Sequence, residues 1–357
     1  MSSGRTGRHP IRLCSLVCLG FAVLGARGGP VLLSSVNKYL VNAPGQADIR
    51  ISTGYDRIYK LDDADLAAYR QSRQRLVDLL LALPGIKSPH GVSLIGLARA
   101  CPPLALEVPD HPAWPVPTIC IIHFNGICER DGKPDWGSDS PIEMTVDLND
   151  PENAGFQMYG GERWTDSQGR TIYYQANRVG DIQGFPVYRP RNQGDKELLI
   201  VSLNRRPIWL PLSNEEFLKA MIRRMEKDLV EDGEIGKDPS FPPRRRLERH
   251  KAFLAALSPA RRQAQAMYLR NADDPFEPDL ALQGSPEAWP LVIVNPEWYD
   301  SALPRSAVQF VSVLFNYATS FDPDDPKPDE DGGVESLRLS GLKGTCDWKA
   351  IGSLLGH

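Results

Sequence analysis

Imidazole-based metal chemistry needs two histidines on one helical turn or one strand face. Beyond the first 26 residues the histidines are His90, His111, His123, His250 and His357, with no two closer than 12 positions. No His-x3-His or HExxH element results, and no metal or other cofactor is expected. A serine nucleophile on a strained strand-to-helix turn would show as G-x-S-x-G, which is absent. Gly160-Gly161 lacks the following Lys and helix of a phosphate-cradling loop. Cys120 and Cys128 flank His123 and could imitate a thiol–imidazole pair. The acidic run DPDDPKPDEDGG at 322–333 suits a hard cation by charge, but it fails the EF-hand spacing and its three prolines oppose a tight wrap. It reads as a solvated loop.

One cluster remains. Trp164, Tyr173, Tyr174, Arg178, Tyr188 and Trp209 fall within 46 residues, and Arg205 and Arg206 stand just before Trp209. Trp, Tyr and Arg dominate binding surfaces because each offers a large apolar body with a polar handle. Tyr173 and Tyr174 point to opposite faces of a strand, so one is expected in the core and the other at a surface or a helix contact. Trp164, Tyr173, Tyr174, Arg178, Arg205, Arg206 and Trp209 are the candidate ligand-binding residues, for a peptide or glycan. A glycosidase-like alternative would need two carboxylates across a sugar-sized gap; with 45 acidic residues the sequence assigns none.

The elements that must position this cluster read as short strands with helices around them. Ile49–Ser52 is a candidate strand. Val116–Glu129 reads as a hairpin turning at Asn125-Gly126, a strong two-residue turn signal. That turn would pair His123 with Cys128 and set Cys120 on the other face, disfavouring a Cys120–Cys128 bridge. Cys101 or Cys346 is then the partner, or the thiols are buried. In Pro141–Leu148, Ile142, Met144 and Val146 point one way. Strands follow on both sides of the turn at 166–169, then at Gly184–Tyr188, Glu197–Leu203, Trp289–Val294 and Ala307–Phe315. Asp62-Asp63 opens a helix that Pro84-Gly85 stops, and residues 85–115, with nine prolines and glycines, read mostly as loop.

Residues 205–229 carry the fullest local grammar. Ser213 is a helix N-cap, Glu216 completes a capping box, and Leu212 and Phe217 form a hydrophobic staple. Leu218, Met221, Ile222, Met225 and Leu229 continue one apolar stripe. A basic helix follows over 244–257, whose charges are expected to meet the acidic loop at 322–331 or solvent. A further helix starts at Ser258-Pro259 and is expected to reach Leu269, and another lies near Trp348–Leu355.

The amino terminus has the layout of a secretory signal: Arg5, Arg8 and Arg12, then the uncharged run Leu13–Leu24, then Gly25 and Ala26. Cleavage there would lower the basic residues from 41 to 38 against 45 acidic ones, a net charge near −7. Such a chain has little attraction for nucleic acid or anionic membrane. The expectation is an exported, periplasmic or extracellular α+β protein: an antiparallel sheet of short strands packed with helices over 27–212, and a helix-rich part over 213–357 with two short strands in the same or a second domain. Its expected role is non-catalytic binding or interaction in the cell envelope or outside it. The alternative is an extracytoplasmic hydrolase using carboxylates assembled in space.

Overall fold

Alternation along the strands sorts the apolar side chains onto two faces, and each face has found a cover. The computed structural model describes residues 38–100, 115–136, 142–150, 165–190, 196–202, 206–233, 238–269, 274, 276–281, 285, 287–318, 321–322, 325 and 332–356. Residues 37–357 cluster as one unit.

In chain order the first elements are β1 (Lys38–Tyr39), β2 (Ala47–Ser52), α1 (Asp63–Ala82), α2 (Pro84–Lys87), β3 (Val92–Ala100), β4 (Thr118–Arg130), β5 (Lys133–Trp136) and β6 (Glu143–Leu148). Next come β7 (Ile172–Tyr174), β8 (Asn177–Ile182), β9 (Phe185–Arg189), β10 (Glu197–Val201) and β11 (Trp209–Pro211). The remainder is α3 (Asn214–Glu231), α4 (Pro242–Ala256), α5 (Pro259–Gln263), β12 (Met267–Tyr268), β13 (Trp289–Val294), β14 (Val311–Asn316), α6 (Gly333–Thr345) and α7 (Trp348–Gly352). The class is α+β, with mixed sheets.

The main sheet runs β2-β3-β4-β6-β14-β10-β9-β8, with β1 and β5 paired to the far end of β4. Strand β13 centres a smaller sheet with β7, β11 and β12. One face of the main sheet supplies Leu94, Cys120, Ile122, Met144, Val146, Val313 and Phe315 to a core shared with Leu76 and Leu80 of α1, Leu339 of α6 and Trp348 of α7. The other face supplies Leu198, Ile200 and Leu314 to a core shared with Tyr173, Val292 and Val294 of the small sheet. The small sheet's far face packs Tyr174, Leu291 and Ile293 against Phe217, Ala220 and Met221 of α3. The order of layers is therefore helices, main sheet, small sheet, helices.

Several expectations change. Val92–Ala100 is a strand within the stretch read as loop, and it lies parallel to β2. Parallel neighbours need a crossover, which α1 provides. The sheet is thus mixed rather than purely antiparallel. Asn125-Gly126 is not a turn: β4 runs straight through it, with Asn125 opposite Ser93 and Gly126 opposite Val92. The Gly126 amide donates to Glu335 Oε1 at 3.0 Å. A Cβ at 126 would stand 2.5 Å from that oxygen, so glycine serves close approach here. The reversal comes instead at Asp131 (φ 54°) and Gly132 (φ 74°), both left-handed as a type I′ turn requires, joining Arg130 to its partner Lys133. Cys120 and Cys128 sit eight residues apart on one extended strand, roughly 26 Å by strand rise. Both are free and buried, as is Cys346; Cys101 lies outside the described residues.

Ser213 caps α3 by accepting from the Glu216 amide at 3.2 Å. The Glu216 carboxylate turns instead to Ser167 Oγ (2.7 Å) and Lys219 (3.5 Å), so the box is made on one side and the helix is tied to the 166–169 turn. Leu212 and Phe217 of the staple share one core. The helix starting at Ser258-Pro259 ends at Gln263 rather than Leu269. Residues Met267–Tyr268 join the small sheet, and the amide of Ala266 donates to Leu212 O.

Candidate functional site

Of the sequence-selected residues, Trp164 and Arg205 lie outside the described residues. Strand β7 places Tyr173 toward the main sheet and Tyr174 toward α3, and both are buried. Tyr174 meets Trp289 edge-on at 4.9 Å and Tyr268 at 5.3 Å. The expected division holds in its helix-contact form, with Tyr173 in the core between the sheets and Tyr174 against α3, because a layer covers this strand on each side. Arg206 is exposed and donates from Nη1 to the Glu297 carbonyl at 2.7 Å.

Arg178 and Trp209 are brought together through Tyr188. Arg178 on β8 lies opposite Tyr188 on β9, and the Tyr188 ring meets Trp209 of β11 at 5.1 Å and 88°. Tyr188 and Trp209 are half-buried against the inter-sheet core, while Arg178 is exposed. This is the seam where the edge of the small sheet meets the main sheet. The Arg178 Nη2 reaches both Asp181 carboxylate oxygens at 2.6 and 2.9 Å. That hydrogen bond raises the guanidinium pKa further. Burial raises the Tyr188 phenol, an effect the Arg178 charge opposes. The seam thus presents an aromatic pair beside a charge-balanced fork with spare donors and acceptors.

The edge strand β8 is exposed along most of its length, and its register shifts between Arg178 and Gly180, leaving Val179 outward. A bulge with flanking charges blunts an edge against strand addition. Any ligand here therefore meets side chains rather than a free β-ladder.

A second feature was not foreseen. On the face of the main sheet that carries Ile200 and Leu314, Asp147 of β6 stands opposite Ile119 on one side and Ser312 of β14 on the other. Both side chains are 0% exposed. Among the described residues neither the two Asp147 oxygens nor the Ser312 hydroxyl has a hydrogen-bond partner. Desolvation pushes the Asp147 carboxyl well above the usual range, and the charge of Asp150 adds to it. The alternation Ile142/Met144/Val146 marked only one face of this strand as buried. The opposite face, Thr145 and Asp147, reads as solvent-facing until the small sheet is known.

Farther along the same face the cover thins. Ile95 is 39% exposed, Leu97 and Ile121 are half-buried, and exposed His123 stands 3.6 Å from Glu143 across the strands. His123 and Cys120 are three residues apart on β4 and so face opposite ways. The thiol–imidazole pairing does not form, and burial pushes the Cys120 thiol up to about 12.

Among the described residues the basic helix α4 is answered by acids of neighbouring segments, while most of the 322–331 loop expected to meet it lies outside the described residues. Arg246 pairs with Asp279 (3.3 Å), Arg249 with Glu277 (3.2 Å) and Lys251 with Glu226 (2.9 Å). Arg245 lies 4.7 Å over the Phe276 ring. The shallow groove lined by Lys219, Ile222, Arg223, Lys251 and Leu254 is likewise rimmed by lysines bound to Glu215 and Glu226. Among the described residues no three of His, Cys, Asp and Glu converge. No helix of theirs is long and apolar enough to cross a membrane.

The chain matches no protein-family model, and no curated protein or solved structure is significantly similar to it.

Proposed function

We propose that this chain is an exported, non-catalytic binding protein that takes a peptide or glycan ligand at the Arg178–Tyr188–Trp209 seam. The observation that carries this reading is the convergence of three strands from two sheets on one partly open aromatic and cationic patch. Aromatic faces supply apolar contact to sugar rings or peptide side chains, and an Arg–Asp fork supplies directional hydrogen bonds. Export is supported by the uncharged Leu13–Leu24 run behind three arginines.

The hydrolase alternative draws on Asp147, because burial raises its carboxyl well above the usual range, the direction a general acid requires. Its complete enclosure favours the binding reading, since a reacting substrate must touch the acid.

The seam is tested by screening the full chain on glycan and peptide arrays, then titrating any hit into wild type, Arg178→Ala and Trp209→Ala. Arg178 is exposed, so its variant folds normally. A loss of affinity of tenfold or more in both variants, with unchanged circular dichroism, is expected. Undiminished binding in Arg178→Ala would remove the seam as the site. Mass measurement of the chain from its native host checks export, with processing near Gly25/Ala26 expected and a cytosolic chain retaining Met1 counting against it.

A further inference from the structure

The two ends of the main sheet are built differently. At one end, β8 carries a bulge and a glycine. At the other, β2 runs Ala47–Ser52 without glycine, proline or a shift of register. Among the described residues no strand pairs with its outer side. An unbroken open edge of this length is a template for another strand.

Backbone alternation decides which groups that edge offers. Ala47 stands opposite Leu94, and the Leu94 amide donates to Gln46 O at 2.7 Å. In a parallel ladder that phase commits the amides and carbonyls of Asp48 and Arg50 to β3. Those of Ala47, Ile49 and Ile51 therefore point outward, and among the described residues no loop or turn backbone takes them. The side chains of these three lie on the helix-covered face, Ile49 in the core and Ala47 and Ile51 at its margin. Asp48 and Arg50 share the other face and are exposed, with Arg50 Nε donating to Asp48 Oδ2 at 2.9 Å.

Charges commonly blunt an edge against strand addition. An edge of one sign repels a copy of itself, but this one carries one charge of each sign, two residues apart. Set a second β2 antiparallel to the first, with the two-fold axis at Ile49. The outward groups then meet as hydrogen-bonded pairs, Ile49 with Ile49 of the copy, and Ala47 with Ile51 in both directions. Asp48 falls opposite Arg50 of the copy, and Arg50 opposite its Asp48, in the closer non-hydrogen-bonded pairs. The four charges alternate in sign around the axis. A slip of two residues, the smallest that keeps the hydrogen-bond phase, sets Asp48 against Asp48 or Arg50 against Arg50. Phase and charge thus select the same register.

We propose that two copies of this chain join edge to edge through β2, antiparallel about Ile49, so that the main sheet continues across the dimer axis. Main-chain hydrogen bonds supply the attraction, and the charges choose the partner and the register. The contact is isologous, so it closes at two copies. It lies at the opposite end of the main sheet from β8 and is independent of the ligand seam.

Sedimentation equilibrium of the full chain over a range of concentrations tests this, with wild type expected to approach twice the chain mass. Asp48→Arg puts two cations on the edge and Arg50→Asp two anions, at exposed positions that leave the fold intact. Each alone is expected to dimerise at least about tenfold more weakly. Mixed in equal amounts, the two variants should dimerise with each other, and the double variant Asp48→Arg/Arg50→Asp with itself, because opposite charges again face across the axis. Ala47→Pro removes an outward amide that β3 does not use, and should also weaken the dimer. Wild type that stays monomeric throughout overturns the proposal, whatever other strand the edge accepts. A dimer that all three single variants leave intact belongs to another surface and overturns it too. Failure of the mixed variants to recover dimerisation overturns the register about Ile49.

Discussion

Individual residues in this chain carry their meaning through what covers them. Asp147 looks like the solvent side of an alternating strand in IEMTVDL, because period-two logic assigns one buried face and presumes the other wet. Both faces are covered, by helices on one side and a second sheet on the other. The double cover is also why Tyr174, on the face opposite Tyr173, ends at a helix contact rather than at a surface. Asp56 shows the opposite case, a buried acid with every need met. Its oxygens accept from Arg73 Nη1 and Nη2 at 2.7 and 3.0 Å and from Arg70 Nε at 2.8 Å, and Arg73 lies 5.3 Å from the centre of the Tyr69 ring. Asp56 and Arg73 are almost completely enclosed. Arg73→Ala leaves the buried carboxylate with only the more exposed Arg70, and is expected to cost about 3–5 kcal/mol in a urea titration. The carboxyl pKa is lowered in the fold, where hydrogen bonds from Arg73 and Arg70 outweigh desolvation. Its contribution to stability is therefore complete above the unfolded value near 4 and is lost as pH falls through the folded value. The acid limb of the stability profile should flatten in Arg73→Ala. An unchanged acid limb would show that the pair contributes nothing through linkage.

At the scale of elements, turn chemistry was legible and its location was not. Asn-Gly and Asp-Gly are equally good hairpin turns, and the chain holds both within eight residues. The chain reverses at Asp131-Gly132, while Gly126 stays in the strand to admit the Glu335 carboxylate from α6. No local signal reveals that visitor, which is 209 residues distant. The cap at Ser213 and the staple behind it were legible because they are local. The strand at Val92–Ala100 was masked by Gly96, where Ile49 of β2 packs within 3.0 Å of a would-be Cβ. Gly126→Ala tests the packing account. A methyl group there meets Glu335 Oε1 at 2.5 Å and the Tyr39 ring at 2.9 Å, and is expected to destabilise by about 1–3 kcal/mol. Adding Glu335→Ala to that variant should recover part of the loss, as Tyr39 still obstructs. A double-mutant cycle with no coupling would mean that Gly126 is needed for another reason.

For the whole molecule, the sequence marks a seam near residue 212, where strands give way to helices, and the architecture crosses it. β14, near the carboxyl terminus, lies between β6 and β10 in the middle of the main sheet. It gives Val311, Val313 and Phe315 to the core under the helices and Leu314 to the core between the sheets. β13 likewise pairs with β7 and β11, and so sits between strands from before the seam. Layer order of this kind depends on pairings between distant segments, which composition and periodicity do not encode. Without β14, a fragment ending at residue 212 would expose the edges of β6 and β10 and open both cores at once. Fragments 37–212 and 213–357 are therefore each expected to lack cooperative unfolding when expressed alone. The full chain should instead show one urea transition reported identically by tryptophan fluorescence and far-ultraviolet circular dichroism. A fragment 37–212 with dispersed amide resonances and a sigmoidal melt would show that the amino-terminal strands close without β14, and that the sheet is assembled from two separately stable halves.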